Sequence, residues 1–154
     1  MDGISDKIAM KFKFNLDREV GKELITSKNF KILADVEGEL EILFKEKMFF
    51  QEEYILLLEF GVFLSKWVSN VKSGANEDFV YETMDYSEGP ILEFQKQEGG
   101  GWKFYSDWQK IVIDEEFSLE ELLKVIEKFL IDLKVQLQKI YNISLEDYLT
   151  HCNI

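Results

Sequence analysis

The sequence predicts an α+β fold, a mostly antiparallel sheet with two long helices packed on one face. Three observations carry this reading. Apolar and polar residues alternate over 10–16 and 30–44, the period of a half-buried strand. Two stretches, 51–72 and 118–141, are long and carry an apolar stripe at helical spacing. The order is strands, helix, strands, helix, as expected where helices cover one face of an antiparallel sheet. No internal repeat or linker divides the 154 residues, so a single domain over 1–154 is expected. The hydrophobic fraction of 46% is enough for a core without a disulfide staple.

The elements follow in order. Met10, Phe12, Phe14 and Leu16 lie on one side of the first strand, Lys11, Lys13 and Asn15 on the other. The stretch 17–28 is a polar connection with room for a short helical turn. In 30–44 the apolar positions are Phe30, Ile32, Ala34, Val36, Leu40, Ile42 and Phe44, and Asp35, Glu37, Glu39 and Glu41 fall between them. Two geometries keep the faces consistent: a hairpin with a three-residue loop at 37–39, or one long strand bent at Gly38. A further short strand is expected over 45–50.

The first long helix, 51–72, carries Tyr54, Leu57, Leu58, Val62, Ser65 and Val68 as its inward stripe. Ile55, Leu56, Phe60, Phe63 and Trp67 make it apolar nearly all round, so it is either central or part of an interface. Gly74 ends it. Strands are expected over 78–86, 91–97 and 102–108, with a hairpin loop at Glu98-Gly99-Gly100-Gly101 and a last short strand at 111–113. Ser118 and Glu121 have capping-box spacing and open the second long helix. Its stripe is Leu119, Leu122, Ile126, Phe129, Leu130, Leu133, Leu137 and Ile140. Ser144 and Asp147 begin a final short helix.

Composition narrows function. The net charge of −12 would on average repel nucleic acid and anionic lipid, whose binding needs cations. Such acidity keeps a protein soluble, and it also suits a basic protein partner. The one cysteine, Cys152, cannot close an internal disulfide, and the first residues lack the basic and apolar regions of a signal peptide. The longest nearly apolar run, 54–64, falls short of the about 20 residues that span a bilayer. A cytoplasmic protein is the expectation, with no membrane contact.

Candidate chemistry is sparse. His151 and Cys152 are the only members of their kinds, are adjacent, and lie at the chain end, which is poor ground for a nucleophile pair. One histidine and one cysteine cannot build a nitrogen–sulfur metal cage, and no stretch follows the calcium-loop pattern. No metal and no cofactor are expected. Gly99-Gly100-Gly101 leads into a strand, whereas a phosphate cradle leads into a helix.

Two clusters remain. The row Asp35, Glu37, Glu39 and Glu41, spaced by two, points to one face of a strand. It is either a solvated face or a docking stripe for a basic partner. The second is Tyr81, Asp85, Tyr86, Glu88, Trp102, Tyr105, Ser106 and Trp108, a buried aromatic layer or a recognition surface. The residues expected to meet a partner are Asp35, Glu37, Glu39, Glu41, Tyr81, Asp85, Trp102 and Trp108.

The stretch from Asp78-Phe79-Val80-Tyr81 through Asp85-Tyr86-Ser87-Glu88-Gly89-Pro90 to Phe94 carries a resemblance. With Gly101-Trp102, Ser106-Asp107-Trp108-Gln109, and the helix Ile55-Leu56-Leu57-Leu58-Glu59-Phe60 leading to Lys66-Trp67, it covers about half the chain. It resembles a family of short uncharacterised proteins from Bacillus and related Firmicutes. Some of these are encoded beside secreted toxins, as immunity proteins would be. The resemblance implies a bacterial, cytoplasmic origin and brings no catalytic motif. The expected function is thus a non-catalytic acidic interaction protein of the toxin-inhibitor type. The rivals are a ligand-binding module or carboxylate enzyme using Asp85 and Glu88, and a homo-oligomer joined through the helix at 54–67.

Overall fold

The computed structural model describes residues 7–17, 19–82 and 91–149. The architecture is α+β, and its strands divide into two three-stranded antiparallel sheets. β1 (Ile8–Phe14), β2 (Glu37–Phe44) and β3 (Lys47–Leu56) form the first; β4 (Phe79–Tyr81), β5 (Leu92–Lys96) and β6 (Trp102–Tyr105) form the second. The helices are α1 (Lys22–Thr26), α2 (Leu57–Lys72) and α3 (Leu119–Gln136).

α2 is central. It packs on β2 and β3 of one sheet, on β4 of the other, and on α3. That accounts for a helix apolar on nearly every side. Phe60 meets Phe79, Tyr81 and Phe129, so one side chain ties α2 to the second sheet and to α3. Trp67 lies edge-on to Phe94 and Trp102, and its indole N–H donates to the Glu77 carbonyl at 2.8 Å. Leu57, Leu58, Val62, Phe94, Phe104, Ile126, Phe129, Leu133 and Leu137, expected in the core from their periodicity, are all buried.

α3 begins as its capping box dictates. The Ser118 hydroxyl accepts from the Glu121 amide at 3.0 Å, and the Glu121 carboxylate accepts from the Ser118 amide at 2.9 Å. The helix continues through a wider turn, Leu137–Tyr141, and stops at Asn142 in the left-handed region (φ 58°). A 3-10 turn, Leu145–Tyr148, follows where the final short helix was expected.

Four expectations are corrected. Residues 30–44 form neither a hairpin nor one bent strand. Phe30–Ala34 is a 3-10 turn, with the Asn29 side chain accepting from the Lys31 amide, and the strand begins only at Glu37. Gly38 lies inside β2, opposite Phe14. The hairpin turn is instead Lys45-Glu46, both at positive φ (50° and 69°), as a tight two-residue turn requires.

The helix expected from residue 51 begins at Leu57, because 51–56 belong to β3. Two register shifts explain the misreading. Leu40 and Gly38 face Glu52 and Ile55, and Ile42 and Leu43 face Phe50 and Met48, so β3 carries one extra residue at each place. Each bulge breaks the period of two. Phe49 and Phe50 are consecutive and both buried, while Tyr54, expected inward, is 58% exposed.

No strand forms at 111–113; Phe117 bridges to Trp102 instead, with N–H to carbonyl bonds of 2.8 and 2.9 Å. Leu16 and Ile140, expected on apolar faces, are exposed. The glycine loop is a hairpin as expected, with Gly100 at φ 98°.

Candidate functional site

The outer face of the first sheet is the strongest candidate. The odd positions of β2 point away from α2 and α3, while Leu40 and Ile42 between them are fully buried. Glu37, Glu39 and Glu41 are half-buried on this outer face. Gln51 of β3 sits across from Glu41, and its amide nitrogen donates to Glu39 at 2.8 Å and to Glu41 at 3.2 Å. On the other side β1 sets Lys13 opposite Glu39 and Lys11 opposite Glu41. The row is therefore no column of unrelieved like charge. One amide and two lysines flank it, and opposite charges across strands stabilise a sheet.

Beside this row lies a shallow groove of about 370 Å³, lined by Lys13, Asn15, Asp17, Glu39, Glu53 and Tyr54. It offers an aromatic ring among carboxylates, a surface suited to the charged head and apolar stem of lysine or arginine. Asp35 does not join the row. It ends the 3-10 turn that precedes the strand.

The aromatic cluster belongs to the core. Tyr81 is fully buried and its hydroxyl donates to Glu59 at 2.9 Å. Trp102 is 1% exposed and packs against Trp67. Neither can touch a partner in this fold. Trp108 is half-buried, and its amide donates to the Ser106 hydroxyl, which itself donates to the Ile91 carbonyl at 2.6 Å. Tyr105 is partly exposed and donates to Asp107. Asp85, Tyr86, Glu88, His151 and Cys152 lie outside the described residues.

Displaced titrations lie in supports of the fold. Glu115 accepts from Lys45 at 2.7 Å and from Lys7 at 3.0 Å. These lysines, Lys45 first, hold its carboxyl below the usual range, and the bond to Glu115 raises Lys7. The trio ties the β2–β3 turn and the start of β1 to the segment before α3. Among the described residues, no three His, Cys, Asp or Glu side chains converge on a metal position. No helix among them is long and apolar enough to cross a membrane.

Glu52 is the exception that carries a cost. It faces Leu40 from the first bulge, and burial raises its carboxyl pKa, with Lys110 opposing. Folding thus favours the protonated acid relative to the unfolded chain. A raised carboxyl pKa subtracts stability above the titration range and nothing below it. Glu52→Gln is expected to raise the urea midpoint at pH 7 and to match wild type at a pH well below 4.5, the ordinary carboxyl value. A lower midpoint at pH 7 would mean that the attraction of Lys110 outweighs burial.

A family model for a domain of unknown function, DUF7878, matches residues 12–139. The chain belongs to the DUF7878 family. The match takes in all of β2, β3, α2 and α3 and both lysines' partners in the acidic row. It leaves out the first half of β1 and the last 3-10 turn. No curated protein and no solved structure matches the chain. The DUF7878 match names no function and no ligand.

The residue that sequence reasoning missed is Gln51, the amide that holds Glu39 and Glu41 together. The sequence pattern places it at the start of a helix. The available signal was Met48 to Gln51 itself, a β-compatible run directly after a two-residue polar turn.

Proposed function

We propose that this DUF7878 chain is a non-catalytic binding protein whose acidic sheet face docks a basic protein partner. The most concrete form is an inhibitor of the immunity type, which steers onto a basic toxin and covers its active site. One observation carries the reading. The outer face presents Glu37, Glu39, Glu41 and Glu53 against Lys11 and Lys13, an excess of carboxylate beside exposed Tyr54, on a chain of net charge −12. Such a surface speeds encounter with a basic partner and slows it with an acidic one.

The test is an association rate measured against the basic protein that the immobilised chain captures from its native host. Wild type and a Glu39→Gln/Glu41→Gln variant are compared at low and physiological salt. The variant is expected to associate about three- to tenfold more slowly at low salt, with a shallower salt dependence. Its stability should fall slightly, by at most about 1 kcal/mol per cross-strand pair, because each glutamate faces a lysine. Equal rates and equal salt slopes would remove this face from the reading, and recovery of no basic protein would remove the reading itself.

A further inference from the structure

A second surface borders the acidic face. Among the described residues β1 is an edge strand, paired with β2 on one side only. Two bonds fix which of its backbone groups that pairing uses. The Lys45 amide donates to the Lys7 carbonyl at 2.7 Å, and the Asn15 amide to the Glu37 carbonyl at 2.8 Å. In an antiparallel ladder the hydrogen-bonded pairs recur at every second residue, so the odd residues of β1 turn their groups toward β2. The amides and carbonyls of Ile8, Met10 and Phe12 turn the other way, and no described strand pairs with them. An open edge of this kind is a template for another strand.

What flanks the edge limits what can be added. α3 stands beside β1, and the two enclose a cleft of about 400 Å³. Its rim carries Lys11 from the strand and Lys124 and Lys128 from the helix, against one carboxylate, Asp132. Its floor is apolar, with Ile8, Met10 and Phe129. On a chain of net charge −12 this is a local reversal of sign. A second copy fits poorly, because antiparallel self-pairing of β1 would bring its own lysines together and bring two acidic chains into contact.

We propose that the open edge of β1 takes an extended acidic segment of a partner protein as a fourth strand of the first sheet. Main-chain bonds to Ile8, Met10 and Phe12 supply the affinity. Lys11 and Lys128 on the rim select carboxylate side chains, and the apolar floor accepts the alternate residues of the added strand. Lys11 is shared with the acidic face, whose carboxylates play no part in this, so failure of either proposal leaves the other standing.

The test uses the full chain and three labelled nine-residue peptides. One alternates Glu and Val, one alternates Lys and Val, and one is the Glu–Val peptide with its four central amides N-methylated. The first is expected to bind and to shift the amide resonances of Ile8, Met10 and Phe12. The basic peptide should bind at least tenfold more weakly, and so should the methylated one, which keeps the charge but lacks the donors. Lys128→Glu, on the exposed face of α3 and away from the Lys11–Glu41 pair, should weaken the Glu–Val peptide at least threefold and leave the melting temperature unchanged. Comparable binding of the methylated peptide would overturn strand addition. Comparable binding of the basic peptide, or indifference to the lysine variant, would overturn the charge selection. A dimer whose formation protects the β1 amides from exchange would overturn the proposal in favour of a second copy.

Discussion

Phe129→Ala is expected to destabilise the protein by about 3–5 kcal/mol, the range for truncating a fully packed phenylalanine. Phe129 is 2% exposed and stands where three elements meet. Its ring lies edge-on to Phe12 of β1 at 5.6 Å and to Phe60 of α2 at 5.7 Å. Truncation removes both contacts and opens a cavity. The surroundings have little freedom to fill it, because Phe60 is already held by Phe79 and Tyr81 on its other side. For a chain of this length about 2–4 °C of melting temperature is lost per kcal/mol, so a fall on the order of 10 °C is expected. Ile131→Ala, two residues along α3 and 61% exposed, should change stability by no more than about 0.5 kcal/mol. If the two variants melted alike, α3 would be packing by a different face.

The same contrast shows what the sequence made legible. α3 is readable in its start and its stripe, because its capping box is local chemistry and Leu122 to Leu137 keep one period, whereas the wider turn at 137–141 and the exposed Ile140 are not. β2 was readable in its faces though not in its start, since Leu40 and Ile42 alternate cleanly with Glu39 and Glu41. β3 was readable only in its first part: the strand expected over 45–50 is there, but 51–56 read as the start of the helix. One bulge places Phe49 with Phe50 as a consecutive buried pair, and Ile55 with Leu56 is another where the strand runs into α2; consecutive apolar residues before a helix look like more helix. Nothing in one sequence marks a bulge, because it is imposed by the partner strand. For the candidate site, this hid Gln51 while leaving Glu39 and Glu41 correctly on one face. In the aromatic cluster, composition could not tell core from surface. Tyr81 and Trp102 were assigned to a partner, yet Phe60, Trp67 and Glu59 of α2 already occupy them.

Gly38→Ala is the sharpest test of the corrected strand pairing, and it is expected to cost about 3 kcal/mol, the upper end for overpacking a core. A methyl group at position 38 would overlap the Lys13 carbonyl oxygen and come within 2.9 Å of the Phe14 Cα and 2.7 Å of a Leu57 methyl. Two of those three neighbours are backbone atoms of β1. They cannot rotate aside, so β1 and β2 must separate where Phe14 faces Gly38. Gly61 offers a comparison. There the added methyl would meet Leu133 and Leu145 at 2.6 and 2.9 Å, both at the mobile ends of side chains, so Gly61→Ala should cost less than Gly38→Ala. Gly99 has nothing within 4 Å, and Gly99→Ala should be close to neutral. Asparagine separates the two readings of Gly38. A glycine chosen for a turn at positive φ is well replaced by asparagine, which tolerates that region. Gly38 is not among the residues at positive φ; it is small because another strand lies against it. Gly38→Asn should therefore unfold at a lower urea concentration than Gly38→Ala, since it adds more atoms to the same contact. An asparagine variant as stable as wild type would restore the turn at 37–39 and dissolve the pairing of Glu39 with Lys13 on which the acidic face is built.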